Sequence, residues 1–245
     1  MVGMNRTAIQ SAFVLGSTST VAIAICRALA RQGCRRFHLV ARNPATNQAL
    51  AHELHQRFEA DVSLEQVDLL AANQEPPSLR DPFDLYLITA GSLGDADLAR
   101  LQANEALAIT AANYTSLIPW LTAIVTPERI QTPGRLWVFS SVAADRGRPS
   151  NYHYGAAKAG LTRFCEGLLL RCHDTPFAVR ILKAGFMATP MTIGKAPAAL
   201  CAQPDQIARA LLRRPNRRGI EYIPWWWAPL MMIIRLLPPA LAAKL

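Results

Sequence analysis

Tyr154 and Lys158 stand four residues apart in the segment Tyr-Gly-Ala-Ala-Lys-Ala-Gly-Leu, whose composition favours a helix. Four residues is about one helical turn, so the two side chains leave the same face and can meet. Ser141 lies thirteen residues before the tyrosine, just after the apolar run 136–139, which reads as a strand ending in Ser140. A hydroxyl at a strand's end, facing a phenol backed by an ammonium, can move a proton to or from a carbonyl oxygen. A free phenol titrates near ~10 and exchanges protons poorly at neutral pH. A nearby ammonium favours the phenolate and lowers that value, and a serine hydroxyl can stabilise charge developing on the reacting oxygen. Of the 26 basic residues only four are lysines, yet one stands a turn after this tyrosine. By themselves Tyr154 and Lys158 also fit an exposed polar pair on a helix; the serine, the strand and the N-terminal half favour the chemical reading.

These side chains need a scaffold, and the chain supplies an alternation of apolar strands and helices. Strands are expected near 12–15, 37–41, 62–67, 84–89, 135–139, 178–183 and 220–223. Between them come helices near 21–31, 46–58, 97–125, 152–173 and 205–214. Strands apolar throughout, each followed by a helix, argue for an α/β fold, a Rossmann-type doubly wound parallel β-sheet flanked by helices on both faces. At 245 residues, with no internal repeat, low-complexity stretch or linker, the chain reads as a single domain.

The first strand runs into Gly16-Ser17-Thr18-Ser19-Thr20-Val21 and then a helix. A strand, a glycine turn and a helix N-terminus together form an anion site, because backbone N–H groups point outward and the helix dipole favours a phosphate. Only Gly16 remains of a GxGxxG pattern, with Thr20 and Ala22 at the later places, so this signal is weak on its own. The second strand ends in Ala41-Arg42, where an acidic residue would hold a ribose 2′-hydroxyl; an arginine there can meet a 2′-phosphate. The expectation is therefore NADPH, with NADH as the alternative, and a plain surface arginine as the competing explanation of Arg42.

Across essentially its whole length the chain resembles the short-chain dehydrogenase/reductase family. The likeness rests on Gly16 with its Ser/Thr loop, Asp68, Thr89-Ala90-Gly91, Asn113, Ser141, Tyr154, Lys158, and Gly185 followed by Thr189. The resemblance implies that Ser141 polarises the substrate carbonyl and that Tyr154 is the general acid, or the base in reverse. It implies that Lys158 binds the nicotinamide ribose and lowers the tyrosine's pKa, with Asn113 holding a water that links the lysine to solvent. Asp68 and Leu69 would meet the adenine, Ala90 and Gly91 the ribose, and Gly185, Met187 and Thr189 the carboxamide. Two departures, the missing glycines and Ala184 where the family usually has proline, bear on cofactor affinity more than on chemistry.

The stretches 140–160 and 185–200 and the tail from Tyr222 are further similar to the decaprenylphosphoryl-2-keto-ribose reductase branch, which reduces the 2-keto group of a polyprenyl-phosphate sugar. A 3-oxoacyl or other lipid-ketone reductase is the alternative within the family, and a non-catalytic dinucleotide-binding regulator the alternative outside it. Homo-dimers or homo-tetramers are the family expectation.

Residues 224–245 form an apolar segment with Trp225, Trp226 and Trp227 at its head and Arg235 and Lys244 as its only charges. It is too short and too proline-broken to span a bilayer of ~20 residues, but suits a membrane interface, a substrate lid or a subunit contact. Arg146 and Arg148, beside the catalytic serine, are candidates for a substrate phosphate. The net charge of +9 suits an anionic ligand or an acidic membrane surface; without dense basic runs interleaved with aromatics, nucleic acid is not expected. Five cysteines without CxxC or Cys/His spacing read as free thiols, with no metal site and a cytoplasmic location, peripheral on the inner face of the membrane if the tail docks there.

Overall fold

The computed structural model describes residues 8–71, 79, 81–190, 192 and 200–244. Seven parallel strands form one sheet in the order β3-β2-β1-β4-β5-β6-β7. They are β1 (Ser11–Leu15), β2 (Arg36–Ala41), β3 (Asp61–Gln66), β4 (Leu85–Ile88), β5 (Gly134–Ser141), β6 (Phe177–Ala184) and β7 (Gly219–Ile223). The seven expected strands are all present, within one or two residues at most ends.

Successive side chains of a strand leave opposite faces, and here both faces are covered. Ala12, Val14, Leu85, Leu87, Trp137 and Phe139 join the core beneath α1 (Thr20–Arg31), α2 (Pro44–Phe58) and α7 (Pro204–Leu212). Phe13, Leu15, Tyr86, Ile88, Leu136 and Val138 join the other, beneath α5 (Ile118–Ile124) and α6 (Tyr152–Arg171). The edge strand β3 is the exception: much of it is exposed and its sequence is polar.

The helical stretch expected over 97–125 is broken into α3 (Ala96–Leu101), α4 (Ala103–Asn113), a 3-10 turn (Thr115–Leu117) and α5. Gln102 adopts an extended conformation between α3 and α4, and Tyr114, at φ −147° and ψ −70°, stops α4 just after Asn113. Pro119 then sits in the first turn of α5, where its missing N–H costs nothing.

The tail folds into α8 (Trp227–Leu236) and α9 (Pro239–Ala242). Trp227 and Met231 face inward onto Val142, whereas Met232, Ile233 and Leu236 are 64%, 59% and 81% exposed. At ten residues α8 is about 15 Å long, short of a bilayer's hydrocarbon core. Cys26, Cys34, Cys165 and Cys172 are buried thiols outside any disulfide, and no cluster of metal-ligating side chains occurs among the described residues.

Candidate active site

The carboxyl ends of β1, β2, β4 and β5 open on a cavity of about 620 Å³. This is where ligands sit in open parallel sheets, at the point where the strand order reverses, here between β1 and β4. Thr18, Ser19, Thr20 and Val21 line one end with Gly16; Arg42, Asp68 and Leu69 line the flank; Ala90, Gly91, Met187 and Thr189 continue it; Tyr154 and Lys158 line the far end.

Gly16 has φ +87°, a conformation that L side chains avoid, and a Cβ there would stand 2.5 Å from Ala90 N. Ser19 caps α1 by accepting from Ala22 N at 3.3 Å, while the first-turn N–H groups of Thr20 and Val21 have no acceptor within the helix. Thr89 Oγ1 donates to Gly16 O at 2.9 Å and so binds the end of β4 to the turn. At Gly91 a Cβ would meet Asn113 Oδ1 at 2.6 Å and Lys158 Nζ at 3.1 Å. Backbone laid open at both glycines, with a helix N-terminus at one end, fits a dinucleotide whose pyrophosphate lies on α1 and whose nicotinamide end reaches Lys158. When bound, that group supplies or accepts a hydride.

Asn113 is fully buried: Nδ2 donates to Ser92 O at 2.6 Å and to Ile109 O at 2.9 Å, and Oδ1 accepts from Ser92 N at 3.2 Å. It holds the loop after β4 against Lys158.

Ser141, the last residue of β5, has its hydroxyl beside the Tyr154 phenol and accepts from Ala143 N at 3.1 Å. Gly155 lets α6 approach this turn, since a Cβ there would stand 2.9 Å from Ala143 O. Lys158, 4% exposed, has its Nζ 5.9 Å from the Tyr154 ring centroid and donates to Phe139 O at 3.1 Å. The three residues therefore meet, as their spacing predicts.

The electrostatics differ from the expectation. Burial raises the Tyr154 pKa above its ordinary value, opposed by the neighbouring Ser141 hydroxyl and by the Arg148 guanidinium. Lys158 is not among the groups that shift the phenol, and its own burial lowers its pKa to about 8. The arrangement keeps the phenol protonated at neutral pH, ready to give its proton to an oxygen held by Ser141.

Three other expectations need correction. Ser17 is fully buried, its hydroxyl donates to Asn47 Oδ1 at 2.6 Å and its N–H to Val40 O at 3.2 Å, so its side chain braces the turn instead of meeting a cofactor. Gly185 makes room for a tryptophan rather than a carboxamide: a Cβ there would lie 1.8 Å from Trp227 Nε1, and its own N–H goes to Ile223 O at 2.9 Å. Arg146 donates to the carbonyls of Arg235 at 3.2 Å and Leu237 at 3.1 Å, which caps the end of α8. Arg148 alone of the two arginines faces Tyr154. Of the segment 185–200, residues 191 and 193–199 lie outside the described residues.

One group escaped the sequence reading. Lys183, in β6 beside Ser140, forms an ion pair with Asp145 in which the side chains are 10% and 3% exposed. Tyr222 OH donates to the other oxygen of Asp145 at 2.8 Å. The group clamps the loop that follows Ser141. The scarcity of lysine that singles out Lys158 applies equally to Lys183 and could have found it.

The model of a short chain dehydrogenase family matches residues 10–199. An uncharacterized oxidoreductase of Mycobacterium tuberculosis is 34% identical, with 96% of each chain covered. A 3-oxoacyl-acyl-carrier-protein reductase of Chlamydia trachomatis is 25% identical over 85% of this chain and 89% of its own length. Among solved structures, a short-chain dehydrogenase from Sphingobium yanoikuyae in complex with NADPH superposes with a TM-score of 0.77 at 19% identity, covering 95% of this chain and 98% of that one. With Tyr154 and Lys158 at the cavity's end and Ser141 beside the phenol, the match makes the assignment plain: the chain belongs to the short-chain dehydrogenase family, whose members are NAD(P)-dependent oxidoreductases.

Proposed function

We propose that the protein is an NADPH-dependent reductase that delivers a hydride to a ketone, with Tyr154 giving the proton to the new alkoxide oxygen and Ser141 holding that oxygen. The observation that carries this reading is the Tyr154 phenol at the end of the cavity that begins at the Gly16 turn, with the Ser141 hydroxyl on one side of it and Lys158 on the other. NADPH over NADH is supported by Arg42, exposed on the cavity flank, and by the lack of an acidic residue at the end of β2. The leading substrate is the keto group of a sugar on a polyprenyl phosphate. Its support is the apolar outer row of α8, in a tail whose only charges are the cations Arg235 and Lys244, a surface suited to lipid. The second reading, reduction of a 3-oxoacyl group, is favoured by the identity with the Chlamydia reductase.

The test follows loss of reduced-nicotinamide absorbance with a panel of ketones that includes a short-chain polyprenyl-phospho 2-keto-pentose and a 3-oxoacyl thioester. Tyr154→Phe is expected to lose about 10²–10⁴-fold in turnover while still binding NADPH. Undiminished turnover by Tyr154→Phe would sink the mechanism. Turnover of the thioester alone would hand the substrate to the second reading.

A further inference from the structure

The arginines around the active-site loop are mostly consumed by the fold. Arg146 caps α8, and Arg100 Nη2 donates to Pro149 O at 2.8 Å. Arg148 is different. Its Nε is buried with no hydrogen-bond partner, and no ion pair with it occurs among the described residues. Asp145, the acidic residue three positions away, is already saturated by Lys183 and Tyr222. The ionisable group that Arg148 does face is the Tyr154 phenol, where the reacting carbonyl must sit. A guanidinium with an unmet buried donor and no carboxylate is unfavourable in the empty protein, and a planar fork of donors suits a phosphate or carboxylate.

We infer that Arg148 is the anion-binding residue of the substrate half of the site, holding a phosphate or carboxylate that the substrate carries close to its reacting carbonyl. This rests on the reductase reading and narrows it. In a 2-keto sugar linked through a phosphate at the neighbouring carbon, the anion lies beside the ketone, within reach of one arginine. A 3-oxoacyl thioester offers no such charge near its keto group. Burial of the guanidinium disfavours its charge, and an incoming anion restores the balance, so the same contact would favour bound substrate over bound water.

The experiment compares wild type, Arg148→Met and Arg148→Lys on two matched pairs of ketones: a 2-keto-pentose 1-phosphate ester against its methyl glycoside, and dihydroxyacetone phosphate against dihydroxyacetone. A carboxylate-bearing 2-oxo acid against its methyl ester separates the two anion types. Wild type is expected to prefer the anionic members. Arg148→Met is expected to lower their kcat/KM relative to the neutral members by about 10- to 100-fold, chiefly through KM, and Arg148→Lys to regain part of that. NADPH binding, read from tryptophan fluorescence, serves as the control for folding. An equal fall for charged and neutral ketones, with a displaced pH profile, would mean that Arg148 acts only on Tyr154, and the inference would be overturned. An unchanged ratio would overturn it too. If no ketone is reduced, the reductase reading fails separately, and inorganic phosphate titrated into the NADPH complex decides the site: binding lost in Arg148→Met supports it, and no binding by wild type refutes it.

Discussion

Replacing Lys158 with methionine should make the folded protein more stable at neutral pH while abolishing its activity. The lysine is 4% exposed, its hydrogen bond goes to Phe139 O, and no carboxylate contributes to its surroundings. Burial lowers its pKa from 10.5 to about 8. The unfolded chain therefore holds this proton more tightly than the folded one, and the gap corresponds to about 3 kcal/mol against folding wherever both forms are charged. Methionine matches the stem and removes the charge, so Lys158→Met should gain about 1–3 kcal/mol at pH 7 once the lost hydrogen bond is allowed for. The gain is full below pH 8. It shrinks from pH 8 to 10.5, where folded wild type has shed the proton and the unfolded chain still keeps it, and it vanishes above that window. Urea unfolding of both proteins at a series of pH values, followed by tryptophan fluorescence, gives the difference directly. Titrating groups other than Cys165, the one thiol coupled to Lys158, act on both proteins alike and cancel. A variant less stable than wild type at pH 7, or a difference that does not change with pH, would refute the reasoning.

Two further outcomes are expected. Gly185→Ala puts a Cβ 1.8 Å from Trp227 Nε1, so the indole must leave its seat; a loss of about 1–3 kcal/mol and red-shifted tryptophan emission should follow, and an unchanged unfolding midpoint would contradict the packing described. Arg42→Ala should raise KM for NADPH by about tenfold and leave NADH nearly unaffected, as measured by steady-state kinetics with each nucleotide; equal effects on both would remove Arg42 from the 2′-phosphate.

What could be read beforehand was whatever depends on local pattern. Apolar strands alternating with helices specify the sheet, and the Tyr154–Lys158 spacing with Ser141 upstream specifies the catalytic group. Contacts between distant segments were hidden. Ser17 looks like its neighbours in the turn, and only the fold reveals Asn47, thirty residues on, accepting its hydroxyl. Gly185 has the look of a cofactor glycine, and nothing local says that Trp227 fills the space above it. The charge balance at Tyr154 was misjudged for a related reason: a spacing shows that two groups meet, but desolvation depends on everything packed around them. The break after Asn113 likewise falls inside a run of good helix formers, with Pro119 the visible hint that a new helix begins nearby.

The loop after Ser141 is held by residues made long after it: Lys183 and Tyr222 on Asp145, and the Arg235 and Leu237 carbonyls on Arg146, up to 91 positions later. During synthesis the sheet's first five strands can leave the ribosome and pair while this loop still lacks its clamps. A chain ending just before α8 would hold every catalytic side chain and the Asp145 clamp, yet would lack the carbonyls that engage Arg146 and the indole that packs on Val142.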